Sequence, residues 1–135
     1  MVEHVKDIMT KEVVTIDGTK TALDAAKLMS EKGISSLIVV KEGLPEGIIT
    51  ERDFIKKVCS KQLEISKVNI FEIMSRIRTF AEPDTPIEVA VQRMANKRIR
   101  RLPVMQQGQV VGIITVTDLA KYLRRILLLD GALHP

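Results

Sequence analysis

Two stretches of the chain carry the same polar pair: Thr50 with Asp53 in GIITERD (47–53), and Thr115 with Asp118 in GIITVTD (112–118). A threonine followed three residues later by an acid, directly after an apolar run, is a capping box. The hydroxyl accepts the backbone N–H at the third helical position, and the carboxylate accepts the N–H of the threonine. That role needs no ligand. The same box also sets a helix N-terminus, with free amides and a positive dipole end, beside a carboxylate. Such a place suits a phosphate, and an acid near it can take the hydroxyls of a ribose. Both readings stand on the local residues. Gly47 and Gly112, ahead of each box, leave room for a flat group to lie against the strand.

The elements that hold these boxes are repeated with them. Positions 47 and 112 are 65 apart, and Val5–Val58 slides onto Ile70–Leu123 at the same offset without a gap. Ile8/Ile73, Met9/Met74, Ala25/Ala90, Met29/Met94, Leu37/Leu102, Val39/Val104 and Gly43/Gly108 all coincide. The chain is a tandem duplication, and a unit this short rarely covers its own apolar face. Two copies sharing a pseudo-twofold relation and offering two equivalent clefts are expected.

Each copy reads as β-α-β-β-α, an α+β fold. A short extended piece (Val13–Ile16; Arg78–Ala81) precedes a turn at Gly18 or Pro83. Ala22, Ala25, Ala26 and Met29 then match Ile87, Ala90, Val91 and Met94 at helical spacing. Thr85-Pro86 suits a helix start. The runs Ile34–Val40 and Ile99–Met105 read as strands, followed by hairpin-sized links with one glycine each. Gly47–Thr50 and Gly112–Thr115 are short second strands, and the boxes open second helices. The boundaries are 1–60 for the first domain, 61–69 for a polar linker, 70–124 for the second domain and 125–135 for a helical extension and tail. The tail stops at Asp130-Gly131, and Ile126–Leu129 reads either as a dimer surface or as closure over the chain's own core.

Composition narrows the classes. The chain has 135 residues, 45% of them apolar, enough for one ordinary core or two half-sized units. Cys59 is the single cysteine, which excludes an intramolecular disulfide and a cysteine-rich zinc site, and it reads as a small apolar filler. His4 and His134 lack metal-ligand spacing. No apolar run reaches the roughly 20 residues needed to span a bilayer, and MVEHVKDIMT has no secretory apolar region. A cytoplasmic chain with no membrane partner is expected. The net charge of +4 comes with a local cluster, Lys97–Arg101 (KRIRR). Phosphates of a nucleic acid are one partner for such a cluster. The stretch lacks aromatic residues for stacking bases, so a solvated helix end with one or two ligand-facing arginines is the favoured reading.

Paired β-α-β-β-α units ending in G-h-h-[ST]-x-x-D resemble the cystathionine β-synthase (CBS) domain pair, also called a Bateman module. Asp7–Met9 (DIM), DTPIEVAVQRM at 84–94 and RIRRLPV at 98–104 belong to the same resemblance, which covers essentially the whole chain. It implies a non-catalytic regulatory, energy-sensing module that requires no cofactor. The ligand is adenosyl: AMP, ADP, ATP or S-adenosylmethionine. It implies one cleft in which Lys20, Ala25, Ile34 and Ser35 surround the base, Ile113, Thr115 and Asp118 hold the ribose and phosphate side, and Arg100 and Arg101 face the phosphates. The reciprocal cleft pairs Ile48, Thr50 and Asp53 with Thr85, Ala90, Ile99 and Arg100, and Ser35 and Ser36 stand in the arginine positions. Two arginines against two serines predict an affinity difference of at least about tenfold in favour of the Asp118 cleft. A homodimer of pairs, an unidentified regulated protein, and signalling by a ligand-dependent change of orientation are further implications. The rival readings are a nucleic-acid binder using KRIRR and a structural or oligomerisation module without a ligand.

Overall fold

A computed structural model describes residues 3–129; Asp130-Gly131 and His134 lie outside them. The chain divides into two compact units whose borders are not those of the sequence repeats. One unit is Val13–Arg78, and the other joins the chain up to Glu12 with the chain from Thr79 onward. The leading segment of each repeat therefore packs in the unit built mainly by the other repeat. The first helix, α1 (Val5–Ile8), buries Val5 among Ala81, Ala90, Met94, Leu102, Val104 and Ile114. Val5 N–H donates to the Thr85 carbonyl at 2.9 Å, and Lys6 N–H to that of Pro83 at 3.0 Å.

The Val13–Arg78 unit holds a four-stranded sheet in the order β1-β2-β3-β4. These strands are β1 (Thr15–Asp17), β2 (Ser36–Lys41), β3 (Leu44–Thr50) and β4 (Ser75–Arg76). β1 runs parallel to β2, and the other pairs are antiparallel. The helix α2 (Ala22–Lys32) is fixed by a box of its own, with Thr21 N–H donating to Asp24 Oδ2 at 3.0 Å and Asp24 N–H to Thr21 Oγ1 at 3.2 Å. It ends at Gly33, whose φ of 66° is the left-handed conformation that stops a helix. Ala22, Ala25 and Met29 face the core with Leu37, Val39, Ile49 and Val58. Ala26, expected on that face, is only half-buried, because a three-position stripe suffices to cover a narrow sheet.

The segment expected to be a polar linker is mostly exposed, but it sends Val68 into this core and packs Ile65 at its edge. Ile65–Lys67 forms a 3₁₀ turn, Val68 is buried, and Asn69 caps α4 (Ile70–Ile73) by accepting Phe71 N–H at 2.9 Å. The leading helices dock alike. Ile70 N–H donates to Lys20 O at 3.0 Å and Phe71 N–H to Gly18 O at 3.3 Å, the counterparts of the Val5 and Lys6 bonds. Gly18 is required there, since a Cβ would lie within 2.1 Å of the Phe71 ring.

In the second unit, α5 (Ile87–Lys97) covers a hairpin of β5 (Arg101–Gln106) and β6 (Gln109–Thr115). The expected strand at 78–81 reduces to one parallel bridge, Ala81 to Val104. Val91, expected on the covered face of α5, is exposed. Both hairpins turn through two residues of positive φ, Glu42-Gly43 and Gln107-Gly108, the tight turn that matches strand twist. Each second strand is three residues longer than its expected span. The last helix, α6 (Val116–Leu129), packs on α1 and β6, yet none of its residues is fully buried.

Candidate functional site

The two boxes form at the ends of β3 and β6, and each collects polar groups from the strand beside it. In the second unit Arg101 stands opposite Thr115 in the β5–β6 register, and Val116 N–H donates to the Arg100 carbonyl at 3.1 Å. Arg100, Arg101, Thr115 and Asp118 thus converge on the opening of a 14-residue helix. Thr115 N–H donates to Asp118 Oδ2 at 2.9 Å and the Thr115 hydroxyl to the same oxygen at 3.0 Å. Asp118 N–H returns a bond to Thr115 Oγ1 at 3.1 Å. The hydroxyl of Thr10 donates to Asp118 Oδ1 at 3.2 Å, completing the carboxylate's contacts from the α1 end of the unit.

The same register in the first unit gives a different result. Ser36 stands opposite Thr50, and Glu51 N–H donates to Ser35 O at 3.3 Å. Thr50 N–H donates to Asp53 Oδ2 at 2.8 Å, while its hydroxyl is 3.4 Å from that oxygen. Asp53 is only 7% exposed. Its other oxygen lies 3.0 Å from Lys57 Nζ, and the same ammonium donates to the Ile73 carbonyl at 2.8 Å. Here the helix is short as well. α3 (Glu51–Phe54) passes into a π-turn at Ile55–Cys59, closed by Ser60 N–H donating to Ile55 O at 3.0 Å. Cys59, expected as a buried filler, is exposed on that turn.

Several expected ligand contacts turn out to be packing. Ala25 and Ala90 have no accessible surface and lie in the two cores, so a base cannot touch them. Their helical spacing had marked them as core, and burial wins over the expected contact. Ile34 and Ile99 pack at the edges of those cores, Ile48 is half-buried, and Ile113 is buried with both backbone groups bonded to Thr10. The Thr85 hydroxyl is engaged locally, accepting Glu82 N–H at 2.9 Å. The space beside the glycines is also filled. A Cβ on Gly112 would sit 2.5 Å from Met9 Sδ, and one on Gly47 would sit 2.6 Å from both Met74 Sδ and the Ser75 carbonyl. The chain's own methionines lie where a flat ligand was expected.

Lys20 is exposed and borders an open groove of about 360 Å³ together with Thr15, Asp17, Asp24, Lys27 and Leu28. Asp17 is held below the ordinary carboxylate range by the Thr19 amide and then its hydroxyl, at 2.8 and 2.7 Å. Asp24 is lowered in the same way by Thr21. Each expected cleft therefore divides its residues between the units. Lys20, Ile34 and Ser35 belong to one, while Arg100, Arg101, Ile113, Thr115 and Asp118 belong to the other. Among the described residues no group of three or more His, Cys, Asp or Glu is arranged to hold a metal. Likewise no helix is long and apolar enough to cross a membrane. Lys57 and Thr10 were missed from the sequence. Lys57 carried a signal, its i+4 spacing from Asp53; Thr10 lies 108 residues from its partner and carried none.

The comparisons agree with this architecture. The CBS domain model matches residues 5–60 and again 70–125. The chain is 34% identical over 116 residues to the CBS domain-containing protein YhcV of Bacillus subtilis, spanning 86% of this chain and 82% of that protein. It is 38% identical to the uncharacterized protein MK0525 of Methanopyrus kandleri, of which it spans 60%. Among solved structures, the CBS domain pair of protein MJ0100 in complex with 5-methylthioadenosine and S-adenosyl-L-methionine matches at a TM-score of 0.82 and 31% identity, over 93% of this chain and 98% of that one. The hexameric CBS-CP12 protein from bloom-forming cyanobacteria matches at 0.83 and 38%, over 89% and 67%. The chain belongs to the CBS domain family, as a tandem pair.

Proposed function

We propose that the chain is a non-catalytic regulatory module that binds an adenosyl ligand, with Asp118 on the ribose and Arg100 and Arg101 on the phosphates. The observation that carries this reading is the convergence, within one unit, of two arginines and a capped carboxylate on the N-terminus of a long helix. A guanidinium suits a phosphate oxygen, and a carboxylate with a neutral hydroxyl partner suits a sugar. The similarity to the MJ0100 pair, solved with two adenosyl compounds, supports the choice of AMP, ADP, ATP or S-adenosylmethionine. Residues of both repeats would contribute to each ligand, so binding would select one arrangement of the units and present it to a regulated partner.

Thermal melting of the full chain with AMP, ADP, ATP, S-adenosylmethionine and NADH tests the reading. At about 100 times the dissociation constant a ligand adds roughly 2.7 kcal/mol, an easily measured shift. Flat curves across the panel would refute it and leave a structural module. A second reading, nucleic-acid binding, is favoured only by the exposure of Lys97, Arg98 and Arg100. Steep salt dependence of RNA or DNA binding without a nucleotide-induced shift would select it. Leu123, Leu128 and Leu129, exposed along α6, support self-association of the pair, which light scattering checks.

A further inference from the structure

We infer that Lys57 is a specificity-determining residue: its ammonium closes the Asp53 cap to a ribose and leaves the Asp118 cap as the one that takes ligand. The inference rests on the adenosyl reading above and concerns which of the two repeated caps is used.

A carboxylate has two oxygens and about four acceptor sites. On Asp53 one oxygen serves the Thr50 amide, and the other is 3.0 Å from Lys57 Nζ. Lysine is ordinarily a mobile surface cation, but here the ammonium is pinned twice, to Asp53 and to the Ile73 carbonyl at 2.8 Å. Ile73 belongs to α4, the leading helix of the second repeat, so the exchange of leading helices supplies the second anchor. The carboxylate is nearly buried and its charge is already compensated. A ribose hydroxyl is neutral. Displacing the ammonium would leave the nearly buried Asp53 carboxylate without its cation, at a cost one neutral hydrogen bond cannot offset.

Asp118 holds the same cap bond on one oxygen, but the hydroxyl of Thr10 spans the carboxylate, 3.2 Å from Oδ1 and 3.3 Å from Oδ2. A ribose hydroxyl can replace that contact like for like, since a hydroxyl leaves and a hydroxyl arrives. The position of Lys57 in the second repeat is Tyr122, whose ring lies 5.6 Å from the Arg125 guanidinium. One lysine-for-tyrosine difference between the repeats therefore separates a self-compensated acid from one with a replaceable neutral partner.

Calorimetric titration of the full chain with AMP and with S-adenosylmethionine tests the inference on the wild type, Lys57→Tyr and Tyr122→Lys. The wild type is expected to take one ligand per chain. Lys57→Tyr should reveal a second site, strengthened by about tenfold or more, and adding Asp53→Asn to that variant should remove it. Tyr122→Lys should weaken the original site by a similar factor. If Lys57→Tyr fails to fold, Lys57→Gln, which keeps a donor for the Ile73 carbonyl, carries the same test. Two equal sites in the wild type, or a folded Lys57 variant with unchanged stoichiometry and affinity, would overturn the inference while leaving the adenosyl reading intact. A wild type that binds neither compound overturns both.

Discussion

The helices that follow β3 and β6 open on the same Thr-x-x-Asp box, yet the two acids live in different surroundings. Asp53 has Lys57 on the π-turn that follows its helix and two serines at the neighbouring strand start. Asp118 has a threonine hydroxyl from α1 and two arginines at the equivalent place. Duplication fixed the cap, because a helix start after a strand needs its amides satisfied in both copies. What surrounds the cap was free to diverge. One copy uses its acid for an internal ion pair, and the other sets two arginines on the strand start beside the helix opening. Local geometry is shared; electrostatics distinguishes the copies.

The floors beneath the two caps offer the largest way to break that comparison. A Cβ on Gly47 meets a backbone carbonyl, Ser75 O, at 2.6 Å, whereas on Gly112 the nearest backbone atom is Thr10 O at 3.1 Å. The methionine tips at both sites can move, but the carbonyl at Gly47 belongs to the β3–β4 pairing. Gly47→Ala should destabilise by roughly 1–3 kcal/mol and Gly112→Ala by clearly less, as read by urea unfolding. Equal losses would mean that the two floors are equivalent.

Removing the acids sharpens the contrast next. Asp53→Ala and Asp118→Ala each lose the carboxylate half of a capping box, and Asp53→Ala should cost more stability because it also strips Lys57 of its ion-pair partner. Only Asp118→Ala should weaken AMP or S-adenosylmethionine, by about tenfold or more. Comparable affinity losses in both variants would cancel the distinction drawn between the caps.

The smallest effect is the response to pH, and it separates the earlier helices. α2 opens on a charged box, whereas α5 opens behind Pro86 without one. Asp24 lies below its ordinary value of 3.8 because it accepts the Thr21 amide and then its hydroxyl. A lowered folded value contributes stability above the unfolded value and loses it as pH falls through the folded one. In the other unit Lys6 is raised above 10.5 by its bond to Asp84, so its contribution is present below that value and fades as pH rises through the folded one. Asp24→Asn should flatten the acid limb of the melting-temperature profile and Lys6→Met the alkaline limb. Both changes are modest, since these groups are exposed.

Much of the molecule was legible in the sequence because its signals were local. The 65-residue offset, the helical spacing of Ala22, Ala25 and Met29, the hairpin glycines and the Thr-x-x-Asp boxes all act within a turn or two of chain. Ala25 and Ala90 show where two such readings collided. Spacing made them core, the family resemblance made them ligand contacts, and their lack of accessible surface decides for the core. Gly47 and Gly112 were expected to leave room for a flat group, but methionines of the chain itself lie against them.

The sequence alone determined the repeat, the type and order of most elements, and the two caps, since hydrogen bonds within a helical turn depend on residues a few places apart. Tertiary structure decided which partners the caps acquired and which unit each leading helix joined. Val5 finds its core beside Ala90 and Leu102, and Thr10 reaches Asp118 across 108 residues of chain. A repeat offset identifies equivalent positions but cannot say which copy an element packs against. That choice belongs to the burial of apolar side chains far apart in sequence, and no local pattern encodes it.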